Sequence, residues 1–113
     1  MDRMKRYREM IHRLLEDYRQ LYASQPESGV ETALIADDLH GEYMLMRVGW
    51  RGDTRVRRPA FYLRLKDDKI WIEEDWTPDG VATELVASGV PHEDIVLAFK
   101  PPELRHLTEF AAA

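Results

Sequence analysis

Met4, Tyr7, Ile11, Leu14, Leu15, Tyr18, Leu21 and Tyr22 recur at intervals of three and four near the start of the chain. That period draws one apolar stripe down an amphipathic helix over residues 2–23. Such a stripe is stable only when another layer covers it. Asp2 is placed to cap the helix, and Ser24-Gln25-Pro26 with Ser28-Gly29 ends it.

The middle of the chain reads as strands. Residues 30–36 are enriched in small and β-branched side chains, though they alternate poorly. Residues 42–50 follow the turn signal Asp37-Asp38…His40-Gly41, and Gly52-Asp53 makes a second turn before residues 55–65. Pro59 cannot donate to a ladder, so that strand is expected either to start at a sheet edge or to carry a bulge. Asp67-Asp68 reads as a two-residue hairpin loop. It sets Leu65 opposite Ile70 and Leu63 opposite Ile72 on one face, with Tyr62, Arg64, Trp71 and Glu73 on the other. Both faces carry apolar bulk, whereas a sheet covered on one side shows a polar outer face. The second face is therefore expected to be covered by another subunit, making a homo-oligomer through a sheet face.

Thr77-Pro78-Asp79 reads as a helix start, with Thr77 as cap. The helix should run to about Ser88 with Val81, Leu85 and Val86 inward, and Gly89 closing it. Pro91 to Asp94 turns into an apolar run, 95–99, read as a buried strand and stopped by Pro101-Pro102. The expected fold class is α+β: a long N-terminal helix, an antiparallel or mixed sheet of about five strands, and a second helix before the last strand.

A chain of 113 residues has room for one domain, taken as 1–113. It has no cysteine, which excludes disulfides and thiolate metal sites. No apolar run reaches about 18 residues, so no membrane-spanning helix is expected. Charges scattered through residues 1–13 do not make a secretory leader, and the expected location is the cytoplasm. The net charge of −5 is unevenly placed, with +6 over residues 47–66 and −8 over residues 67–113. The overall sign argues against bulk DNA binding, which rests on clustered positive charge.

The groups that could do chemistry do not assemble along the chain. His12, His40, His92 and His106 show no metal-ligand spacing. Glu73, Glu74 and Asp75 point alternately to opposite faces of a strand, so a solvated strand end is expected in place of an ion site. The glycines form no phosphate loop, and no serine stands in a nucleophile setting. The chain is therefore expected not to be an enzyme and to need no cofactor, metal or small-molecule substrate. The basic stretch 47–66 is expected to be a solvated face whose arginines pair with the acids at 73–75. The alternative is a small DNA-binding regulator, using Arg55, Arg57 and Arg58 beside Trp50, Phe61 and Tyr62. For a protein partner, the candidate contacts are Trp71, Trp76, Phe99, Pro101, Pro102 and Arg105, since aromatics and loops on rigid scaffolds carry recognition.

Several segments, taken in order, resemble one family. Lys69-Ile-Trp-Ile72 leads to a Thr-started helix with Glu84-Leu-Val and Ser88-Gly-Val-Pro91. Glu93-Asp-Ile-Val-Leu-Ala-Phe99, Pro101-Pro-Glu with Arg105, and Thr108-Glu-Phe-Ala-Ala-Ala113 complete the second half. With Tyr7-Arg8…Ile11 and Val48-Gly-Trp50, these are similar to the XisI family over essentially the whole chain. Lys100 stands where a histidine is expected before the proline, and Glu109 where a glycine is common before Phe110. The resemblance implies an accessory or regulatory protein, a controlling factor for excision of the fdxN element in cyanobacteria. It also implies an XisH-like partner of restriction-endonuclease fold, acting beside a separate recombinase. Nucleic acid is then expected to be met only indirectly.

Overall fold

A computed structural model describes residues 2–113. Helix α1 (Arg3–Ser24) starts where expected, because the Asp2 carboxylate accepts the Met4 backbone N–H at 3.1 Å. Five strands follow: β1 (Val30–Asp37), β2 (Glu42–Arg51), β3 (Thr54–Lys66), β4 (Lys69–Asp75) and β5 (Ile95–Leu97), with helix α2 (Val81–Ala87) between the last two. They form one sheet in sequence order. β1 to β4 are antiparallel, and β5 returns parallel to β4 after the α2 crossover. The fold is the α+β arrangement expected, with a mixed sheet.

One face of the sheet meets α1. Tyr43, Leu45, Phe61, Leu63, Ile70, Ile72 and Ile95 are fully buried there against Tyr7, Ile11 and Leu15, and α2 adds Val81 and Leu85. Burying each such side chain contributes about 1.5–3 kcal/mol, so this layer dominates stability. Leu21, read as part of the apolar stripe, is instead 47% exposed near the end of α1. By alternation, the opposite face carries Ile35, Met44, Met46, Val48 and Tyr62, none of them buried.

Turn chemistry sets the registers. The Asp67-Asp68 loop takes left-handed φ values of 53° and 60°, closing Lys66 against Lys69 and pairing Leu65 with Ile70 and Leu63 with Ile72 as expected. Pro59 is accommodated by a bulge in an interior strand. Leu45 faces Phe61 while Met46 faces Pro59, leaving Ala60 as the extra residue. A second bulge follows in β4, where Tyr62 faces Glu74 and Leu63 faces Ile72. Glu73 is the residue left over in the pairing, and its carboxylate still lies 3.8 Å from Arg64, on the side it was expected to share.

Helix α2 departs from expectation at its start. It begins at Val81, after Gly80 at φ 82°, and Thr77 does not cap it. Asp75 does this from the end of β4: its Oδ2 accepts the Val81 N–H at 2.7 Å, while its Oδ1 holds the Thr77 N–H at 3.0 Å and the Thr77 hydroxyl at 2.6 Å. The last strand is also shorter than expected, ending at Leu97 and leaving Phe99 outside it. Among the described residues, no helix is long and apolar enough to cross a membrane.

Candidate interaction surface

The β2–β3 hairpin reaches past the rest of the sheet. β4 pairs with β3 only between Phe61 and Lys66, so Thr54 to Pro59 have β2 as their sole strand neighbour. Arg55, Arg57 and Arg58 are exposed on this two-stranded arm, and none has a carboxylate within salt-bridge reach among the described residues. The expected pairing with residues 73–75 is therefore made by Arg64 alone, at 3.8 Å from Glu73, and not by the arginines of the arm, because those acids lie opposite the part of β3 beyond it. They are also occupied: Glu74 Oε2 accepts the Trp76 indole N–H at 2.7 Å, Asp75 caps α2, and Glu73 lies 3.8 Å from Arg64.

Two of these guanidiniums, those of Arg55 and Arg58, lie against aromatic rings. Arg58 stacks 4.3 Å from the Trp76 ring centre and Arg55 5.4 Å from that of Trp50. The two tryptophans are 58% and 54% exposed. Beside Trp76, a hollow of about 190 Å³ is lined by Tyr22, Glu27, Arg47, Arg51, Arg58 and Trp76, among others. Glu27 answers two of these arginines, accepting from Arg51 at 2.5 Å and from Arg47 at 3.3 Å, and the Arg51 guanidinium holds its carboxyl below the usual range. The arm thus offers planar stacking surfaces with positive charge left over, which suits anions and flat rings.

The remaining candidates separate by burial. Trp71 is only 8% exposed: its indole N–H donates to Lys66 O at 3.0 Å, with Lys66 and Arg105 over its ring at 4.3 and 5.5 Å. Arg105 in turn donates to Ala98 O and Lys100 O, both at 3.1 Å. These two residues are spent inside the chain, fixing the 98–105 loop, so Trp71 presents no contact surface. The loop they fix displays Phe99 at 50% exposure, together with Pro101 and Pro102. Leu104 and Leu107, 46% and 73% exposed on the 3-10 turn Pro102–Leu107, extend that apolar patch. Sequence reading missed both; the signal was their spacing of three just after the double proline.

The four histidines lie apart, and three of them, all but His106, sit on carboxylates. His12 sits 2.8 Å from Asp38, His40 2.8 Å from Asp37, and His92 3.8 Å from Glu109. The described residues contain no group of three or more His, Asp or Glu placed to hold a metal ion.

The XisI protein family profile matches residues 1–112. Two solved structures from Anabaena variabilis are similar along their whole length. A XisI-like protein is 36% identical with a TM-score of 0.89, covering 97% of this chain and 99% of its own. The fdxN element excision controlling factor XisI is 38% identical with a TM-score of 0.86, covering 99% and 100%. No curated protein matches the sequence.

Proposed function

The chain belongs to the XisI family, and on that premise we propose that it is an accessory factor controlling excision of a DNA element, acting by binding and leaving strand breakage to its partners. The observation that carries this reading is the end-to-end likeness to the solved fdxN element excision controlling factor.

The partner in this reading is an XisH-like protein of nuclease fold, which docks on the Phe99–Leu107 segment. Support comes from the exposed Phe99, Leu104 and Leu107 on a loop braced by Trp71 and Arg105. The acidic excess of residues 67–113 suits a basic nuclease surface, whose DNA site it then occludes. Co-purification with the XisH-like protein tests this. A complex is expected at micromolar concentration, weakened at least about tenfold by Phe99→Ala with Leu107→Ala, a loss of roughly 1.4 kcal/mol or more. No complex at that concentration counts against it.

One observation favours a second reading, direct DNA contact by the arm: Arg55, Arg57 and Arg58 carry no acidic partner among the described residues. A gel shift at low salt that vanishes in the triple alanine variant supports it. The slope of log affinity against log salt should fall by about 0.9 for each phosphate contact removed. An unshifted duplex at low salt removes this reading.

A further inference from the structure

We propose that two copies of this chain pair antiparallel through β1, joining their sheets edge to edge. This rests on the fold and not on the excision reading. β1 is the outermost strand, and Ala33, Leu34, Ile35 and Ala36 are all exposed along it, Leu34 by 37% and Ile35 by 46%. Its eight pairs with β2 run without a register shift, and it contains no lysine, proline or bulge. Edge strands that stay single are normally protected by one of those devices, because their outer N–H and C=O groups template another strand. At its start the Val30 N–H is taken by Glu27 O at 3.2 Å, and nothing from Thr32 to Ala36 protects the rest of the strand.

The occupant must itself be a free strand, and a second copy offers one. The other edge of the sheet does not. β5 has three residues, and Ala111 already runs beside it, donating to Ile95 O at 2.8 Å and bridging Val96. β1 against β1 closes about a two-fold axis, whereas β1 against β5 would propagate as a filament. With Ala33 facing its own counterpart, Glu31 falls opposite Ile35 and Asp37 opposite Gly29, so no two acids stand directly opposite each other.

Charge on the neighbouring helix is also self-complementary. α1 crosses β1 with His12 beside Asp38 and Arg19 sharing a hollow with Thr32. The axis at Ala33 therefore passes close to the Glu16–Arg19 ion pair, whose side chains are each 43% exposed. A two-fold there brings each Arg19 toward the Glu16 of the other copy, an alternation of sign that repeats under the symmetry.

Sedimentation and light scattering at micromolar concentration test the proposal. The wild-type chain should run at twice 13.3 kDa, and Ala33→Lys with Ile35→Lys should return it to 13.3 kDa with unchanged circular dichroism. Both positions are exposed, so the helix-facing core is untouched. The native sequence lacks cysteine, so Ala33→Cys offers a second readout. Mild oxidation should link it into covalent dimers, because facing residues of an antiparallel pair have Cα atoms about 4.5–5.5 Å apart. Leu39→Cys, 86% exposed and beyond the strand, should remain monomeric. A single 13.3 kDa species at every concentration overturns the proposal. So does a dimer that survives the double lysine variant, or equal cross-linking from both cysteines.

Discussion

The Tyr7 hydroxyl donates to Asp94 Oδ2 at 2.5 Å, tying the first helix to the turn that feeds β5. Both residues are buried, and among the described residues the one cation within salt-bridge reach of the carboxylate is Arg3, at 3.6 Å. Tyr7→Phe leaves a buried carboxylate oxygen without its donor, which costs about 1–3 kcal/mol. The melting temperature should fall by roughly 5–15 °C with the secondary structure intact. An unchanged midpoint would mean that the pair does not hold the helix to the sheet.

Tyrosines set the alkaline limit. Burial, with Asp94 accepting its proton, pushes Tyr7 up to about 12, and burial with Glu84 does the same for Tyr18. The hydrogen bond to Glu42 leads in raising Tyr62 to about 12, and burial followed by Asp38 raises Tyr43 further. Each folded value lies above the unfolded one near 10, so the stabilisation is complete below pH 10 and is lost as pH rises toward 12. Denaturant midpoints measured from pH 9 to 12 should fall with a slope of more than one proton. Tyr18→Phe should make that slope shallower.

Asp75 should matter more than an ordinary residue at a strand end. It accepts three hydrogen bonds, from Thr77 twice and from Val81. Asp75→Ala is expected to cost about 2–3 kcal/mol in urea unfolding. Asp75→Asn should cost less, since its one carbonyl oxygen can still serve either Thr77 or Val81.

Gly49 is required by a close approach. A Cβ there would lie 1.9 Å from Gly29 O, the atom that accepts the Trp50 N–H at 2.8 Å. Gly49→Ala must push the start of β1 away, at a cost of about 1–3 kcal/mol. The Trp50 amide should then exchange with solvent faster than in the wild type, which hydrogen exchange measures residue by residue.

The features legible in the sequence were those written locally. The Asp67-Asp68 turn, the Asp2 cap and the period of α1 each depend on residues within a few positions, and the structure keeps all three. Features set by distant partners were not legible. The cap of α2 comes from Asp75, six residues before Val81, while the nearer Thr-Pro-Asp pattern gave the expected signal for a helix start. The arginines of the arm were matched to the acids at 73–75 by charge alone, and the sequence does not reveal that β4 stops short of them. Trp71 had the character of a contact residue, but Lys66 and Arg105 cover it from within the chain.

Action through surfaces, with no strand breakage by this chain, is tested most directly on DNA. Purified chain is incubated with supercoiled plasmid carrying the element ends, with Mg²⁺ and with Mn²⁺, alone and together with the XisH-like protein. The plasmid should stay supercoiled with this chain alone, and any cleavage by the XisH-like protein should change when the chain is added. Nicking by the chain alone that follows its peak through successive purification steps would contradict the proposed role.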